Sequence, residues 1–177
     1  MKVLVATEKP FAAAAVNGIR EIVEGAGHEL ALLEKYTEKE QLLAAVADAD
    51  ALIVRSDKVT ADVVAAAKQL KIVVRAGAGY DNLDLPSCTE RGIVAMNTPG
   101  QNSNAVAELA LGLMIYMSRN QFTPGTGCEL SGKTIGIQGF GNIGQLVAKK
   151  AVGLGMNVLI LAPQPAEKHQ GWNTVPT

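Results

Sequence analysis

The sequence predicts an α/β protein, with short strands in parallel sheets and amphipathic helices connecting them. Three observations carry this. Short apolar runs recur up to Met96, continuous rather than alternating, as in strands buried on both faces. Helical periodicity separates each run from the next. Beyond them comes a strand, a glycine-rich turn, a helix and another strand, Thr134 to Leu161.

Lys2–Ala6 reads as the first strand. Pro10 opens a helix where its missing N–H is tolerated. Val16, Ile19, Ile22 and Val23 form the helix's apolar stripe, and Gly25 to Gly27 end it. Leu30–Leu33 is the second strand and Glu38–Ala47 the second helix. Ala51–Val54 is the third strand, ending in Arg55-Ser56. Thr60 caps a helix from Ala61 to Lys68. Ile72–Val74 is the fourth strand, Leu85–Arg91 a short helix, and Ile93–Met96 the fifth strand. This alternation over residues 1–98 is that of an open parallel sheet wrapped by helices, flavodoxin-like in plan.

Asn97-Thr98-Pro99-Gly100 breaks the pattern and marks a boundary. Residues 99–177 start with a long apolar helix, Ser103 to Met117, and a loop rich in Gly, Thr and Pro, Thr123–Gly127. The apolar run Thr134 to Gln138 then reaches Gly139-Phe140-Gly141-Asn142-Ile143-Gly144, a G-x-G-x-x-G turn entering a helix, and Met156–Leu161 is the next strand. In a dinucleotide site Gly139 makes the tight turn, Gly141 admits the pyrophosphate to the backbone, and Gly144 allows close helix packing. Unpaired N–H groups at the helix start would face the phosphates. The segment reads as the first β-α-β unit of a Rossmann dinucleotide-binding domain; a plain strand-to-helix turn is the simpler alternative.

The ribose-binding acid of such a site belongs about 20 residues on, at the second strand's end. Ala162 stands there, and the next acid is Glu167. From Pro163 onward no period is visible, so the tail reads as irregular. A two-strand sheet cannot bury both faces, and is expected to take cover from the first region, a partner chain or further residues.

At 48% apolar and 19% charged with net charge −1, the chain is globular, and no basic run marks a nucleic-acid surface. No apolar run reaches the roughly 18 residues of a membrane span. No signal peptide precedes the first strand, so a soluble, cytoplasmic protein is expected. Cys88 and Cys128 lack metal-ligand spacing and are expected as reduced thiols.

Ligands sit at strand ends in open parallel sheets. Arg55-Ser56 offers a cation and a hydroxyl to a carboxylate or phosphate, unless Arg55 merely pairs with Asp57 or Asp62. Arg75-Ala76-Gly77-Ala78-Gly79 could present backbone N–H groups to an anion, or be a glycine turn capped by Asp81-Asn82. Gly100 to Asn104 leads into the long helix, where Ser103 or Asn104 could simply be its N-cap. Glu108, on an otherwise apolar helix, needs a partner, which could be a backbone group across a cleft. His28 and His169 have no carboxylate partner in sight, and no catalytic or metal-binding set stands out.

The segments Arg75 to Asp84, Met96 to Glu108 and Gly139 to Gly144 together resemble the D-2-hydroxyacid dehydrogenase family, in its order and spacing, and within it the branch acting on 3-phosphoglycerate. The resemblance runs from Met1 to about Leu161. It implies that Arg55, Ser56, Ala78, Gly79 and Asn102 contact a 3-phosphoglycerate-like small acid. It implies that Gly139, Phe140, Gly141, Asn142, Ile143 and Gly144 hold NAD, with NADP left open because Ala162 replaces the family's Asp. A hydride would pass between the substrate's C2 and nicotinamide. The long helix and the Thr123–Gly127 loop resemble the segment through which the family dimerises, so a homodimer is expected. The family's catalytic Arg, carboxylate and His or Lys would lie beyond this chain, which is therefore expected to be a truncated form, inactive alone. A non-enzymatic module that dimerises to cover its incomplete sheet is the alternative. A flavin binder fits the first region's alternation, but aromatics are only 4% of the chain.

Overall fold

A computed structural model describes residues 1–161 and 171–174. The chain divides into two compact units, Met1–Pro99 and Gly100–Thr177.

The first unit is an open sheet of β1 (Lys2–Thr7), β2 (Glu29–Glu34), β3 (Ala51–Val54), β4 (Ile72–Arg75) and β5 (Val94–Met96). The strands lie in the order β2-β1-β3-β4-β5, and every pairing is parallel. This is the flavodoxin-like order, so the α/β class read from the alternation is the class observed. Helices α1 (Ala13–Gly25), α2 (Lys39–Val46), α3 (Ala61–Ala66) and α4 (Leu85–Glu90) connect the strands. The core gathers Leu4, Leu52, Val54, Val63, Val73 and Cys88. Each Leu or Val buried there contributes about 1.5–3 kcal/mol, and Val3 and Val5, buried on the opposite face of β1, make that strand apolar without interruption.

Several local expectations give way. Helix α1 begins at Ala13 with Ala12 as its N-cap, so Pro10 precedes the helix rather than opening it. Val16 is buried, but Ile22 is 75% exposed, which narrows the inward stripe to Val16, Ile19 and Val23. Thr60 is the N-cap residue of α3 but makes no side-chain cap bond; its hydroxyl donates to Asp62 instead. The Asp81-Asn82 pair caps nothing: Asp84 caps α4 by accepting from Ser87 N at 3.0 Å, and Asn82 Nδ2 donates to the Asp57 carbonyl at 2.8 Å.

The second unit contains α5 (Ser103–Ser118), a 3-10 turn (Asn120–Phe122), β6 (Thr134–Gln138), α6 (Asn142–Gly153), β7 (Asn157–Leu161) and β8 (Asn173–Thr174). Its sheet order is β6-β7-β8, again parallel. The strand β8 corrects the reading of the whole tail as irregular. Two polar residues show no apolar run, and only their pairing with Leu159 and Ile160 reveals the strand. One sheet face is packed: Ile137, Val158 and Ile160 are buried with Ala107 and Leu111 of α5 and Val147, Ala148 and Ala151 of α6. On the other face Gly136 pairs with Leu159, which is 39% exposed.

The N-cap of α5 is Asn102, which makes no side-chain cap bond. Ser103 is buried, and Asn104 Nδ2 donates to Glu108 Oε1 at 2.7 Å. Glu108 also meets Lys150 Nζ at 3.4 Å, so its partners are side chains of its own unit rather than a distant backbone group.

Candidate functional site

In the first unit, the loops that follow β1, β3 and β4 are tied together at the strand ends. Asp57 is only 5% exposed. Its Oδ1 accepts from Glu8 N at 2.7 Å and from the Tyr36 hydroxyl at 2.9 Å, and its Oδ2 accepts from Arg55 N at 3.3 Å. Three donors satisfy a carboxylate that would otherwise be costly to bury. Burial pushes the Tyr36 phenol above its usual range, and the hydrogen bond to Asp57 pushes it further.

The Arg55 side chain therefore does not have the surface pairing considered from sequence. Asp57 turns inward, and Asp62 pairs with Lys39. That pairing, followed by the Thr60 hydroxyl, lowers the Asp62 carboxyl to about 2. Arg55 and Ser56 are exposed, and the Arg55 guanidinium has no carboxylate partner among the described residues. Glu8, Tyr36, Lys39, Ser56, Asp57 and Lys58 line a pocket of about 340 Å³ at these strand ends. It lies beside β1 and β3, where the strand order reverses and ligands of open α/β sheets gather.

The loop after β4 is fixed through its carbonyls. Thr98 N donates to the Gly77 carbonyl at 2.9 Å, Asn97 Nδ2 to that of Ala78 at 2.7 Å, and Arg75 Nη1 to that of Gly79 at 3.3 Å. The backbone N–H groups of Ala78 and Gly79 donate to no described residue. Arg75 Nε also donates to the Arg55 carbonyl at 2.8 Å, so one guanidinium joins the Arg55-Ser56 and Ala78-Gly79 loops. A Cβ at Gly77 would overlap that guanidinium. Asn102 belongs to the second unit, as the N-cap of α5.

The second unit's site is the bend from β6 into α6. Gly139 has φ +86°, a conformation that favours glycine. Its N–H donates to the Leu161 carbonyl at 2.8 Å, which anchors the turn to β7. A Cβ at Gly144 would collide with the Gly139 carbonyl oxygen, so helix and turn approach closely there. Gly141, the N-cap, has open space where a Cβ would stand. Phe140 stacks edge-on with Trp172, ring centroids 5.5 Å apart, and its carbonyl accepts from Gln145 Nε2. The N–H groups of Gly141, Asn142, Ile143 and Gly144 donate to no described residue. Four such amides at a helix start form a ready anion site, so the bend fits a diphosphate. Ala162, Glu167 and His169 lie outside the described residues.

Sequence reasoning missed Asp57, Tyr36 and the Arg75 side chain. An Asp two residues after an Arg looks like its ion-pair partner, and a Tyr after a strand looks like a surface aromatic. Only their burial reveals otherwise. Among the described residues no helix is long and apolar enough to cross a membrane, and no grouping of His, Cys, Asp or Glu could hold a metal ion.

Residues 5–175 match the family described as D-isomer specific 2-hydroxyacid dehydrogenase, catalytic domain. A hydroxypyruvate reductase of Thermotoga maritima is 43% identical over 78% of this chain and 50% of its own length. A D-3-phosphoglycerate dehydrogenase of Methanocaldococcus jannaschii is 46% identical over 68% of this chain and 26% of its own. The crystal structure of NAD+-bound 3-phosphoglycerate dehydrogenase from Entamoeba histolytica superposes with a TM-score of 0.91 at 49% identity, covering 100% of this chain and 57% of that one. The chain thus spans about half or less of the curated relatives it matches.

Proposed function

The chain belongs to the D-isomer specific 2-hydroxyacid dehydrogenases, and from that membership we propose that the whole protein oxidises 3-phospho-D-glycerate to 3-phosphohydroxypyruvate with NAD, a step leading to serine. The observation that carries this reading is the Gly139–Gly144 bend, where four amides that donate to no described residue suit a diphosphate, in a chain similar to an NAD+-bound 3-phosphoglycerate dehydrogenase. Bound nicotinamide would accept the hydride from the hydroxyl-bearing carbon.

The residues of this chain bind and orient. The first unit is the substrate-binding domain. Its Arg55 and Ser56 take the acid's charged end, and the Ala78 and Gly79 N–H groups take a second anionic oxygen. The second unit is the nucleotide-binding domain, with Gly141, Asn142 and Ile143 on the pyrophosphate between the Gly139 turn and Gly144. Ala162, in place of the ribose-binding acid, leaves NADP as an acceptable cofactor. None of these residues is a proton-transfer group, so the roles assigned to them are binding and orientation.

The protein works as a cytoplasmic homodimer. Two free cysteines suit a reducing compartment. Along α5, Val106, Leu109, Leu113 and Tyr116 form an exposed apolar stripe opposite the buried Ala107 and Leu111.

Calorimetric titration with 3-phosphoglycerate, hydroxypyruvate and D-lactate tests the substrate reading, with NADH absorbance followed in parallel. The expected result is preferential binding of 3-phosphoglycerate and no absorbance change. Equal binding of the unphosphorylated acids would contradict the phosphorylated substrate, and measurable turnover would contradict the binding-only role.

A further inference from the structure

Both backbone polar atoms of Arg55 are held by side chains. Its N–H donates to Asp57 Oδ2 at 3.3 Å, and its carbonyl accepts from Arg75 Nε at 2.8 Å. Each holder is itself fixed at a second point. Asp57 also accepts from Tyr36 and from Glu8 N, and Arg75 reaches the Gly79 carbonyl as well. Residues just past a strand end usually leave such groups to water or to neighbouring backbone.

A carboxylate this deeply buried is a poor device for stability alone. Its desolvation offsets most of what its hydrogen bonds contribute, and an apolar residue of similar volume would serve the core as well. Its effect is geometric: the buried charge sets where the Arg55 peptide lies. On the opposite side the planar Arg75 guanidinium fixes the distance between the Arg55 loop and the Ala78-Gly79 loop, which a flexible ammonium could not do.

We propose that Asp57 and Arg75 are positioning residues, gripping Arg55 from both sides so that its guanidinium and the Ala78 and Gly79 amides converge on one small acid. This rests on Arg55 being a substrate contact. Tyr36 belongs to the same device, because its hydroxyl orients the Asp57 carboxylate.

The test uses the full chain with Asp57→Asn, Arg75→Lys and, as a milder change should Asp57→Asn fail to fold, Tyr36→Phe. Two quantities are read: backbone 15N order parameters without ligand, and calorimetric affinity for 3-phosphoglycerate. Loss of order at Arg55 and Ser56 with Leu52 and Val54 unchanged is expected, together with affinity roughly tenfold weaker, the effect of one lost hydrogen bond to a charged group. Arg75→Lys keeps the charge and should not rescue. Unchanged order at Arg55 and Ser56 in the folded variants overturns the proposal, as does a loss spread evenly through the sheet. A wild-type chain that binds no 3-phosphoglycerate overturns the substrate reading alone, and the order parameters then decide the positioning by themselves.

Discussion

The Tyr36 hydroxyl donates to Asp57 Oδ1 across 2.9 Å, joining the end of β2 to the end of β3 inside the first unit. The folded state raises the phenol's pKa, first by burial and then through Asp57. The unfolded chain loses this proton near pH 10 while the folded one retains it, so the unfolded state gains charge and stability falls as pH rises. The contribution is complete below the unfolded value and is lost above it. Tyr36→Phe should therefore flatten the decline in urea midpoint between about pH 9 and 11. At pH 7 it should cost about 1.5–3 kcal/mol, because Asp57 loses a donor. An equally steep alkaline decline in the variant would remove Tyr36 as its source.

The two cysteines should separate cleanly in a thiol assay. Cys88 is 1% exposed, and burial, aided by the Asp84 charge, pushes its thiol up. Cys128 is exposed. A maleimide should modify only Cys128 in the native chain and both after denaturation, since the thiolate is the reactive form. Rapid native labelling at Cys88 would show that α4 opens readily.

The glycines at the bend should divide by role. A methyl at Gly144 meets the Gly139 carbonyl, so Gly144→Ala should cost about 1–3 kcal/mol by overpacking. Gly141→Ala meets nothing within 4 Å, and as an N-cap change should cost under about 1 kcal/mol. Its methyl would stand where the pyrophosphate approaches, so it should weaken NAD binding while leaving Tm nearly unchanged. Equal effects of both changes on stability and binding would dissolve the distinction.

Association should run through α5. Leu109 is 63% and Leu113 53% exposed on one stripe of that helix. Replacing both with Glu would place charge at the centre of the apolar stripe and should convert a dimer to a monomer in sedimentation while sparing far-UV helicity. A wild-type chain that sediments as a monomer at high micromolar concentration would contradict the proposed homodimer.

The central strands of the first sheet were legible because burial on both faces demands uninterrupted apolar runs such as Ala51–Val54, whose bounds match β3. The Gly139 turn was legible because a positive φ at that point favours glycine. Helix starts read less well. Pro10 and Thr60 are residue types that suit a first turn or cap, yet tertiary contacts begin α1 at Ala13 and direct the Thr60 hydroxyl to Asp62. The strand β8 was hidden because pairing, not composition, makes Asn173-Thr174 a strand. Asp57 was hidden for a related reason: its burial depends on Tyr36 and Glu8, far away in sequence, and neither carries a local signal.

The start of α6 is proposed to receive a dinucleotide diphosphate, and titrating NAD into the 15N-labelled chain decides whether it does. Saturable shifts at the amides of Gly141, Asn142, Ile143 and Gly144, reduced in Gly141→Ala, are the predicted result. Amides there that stay fixed while NAD reaches millimolar concentration, or shifts confined to other segments, would contradict it.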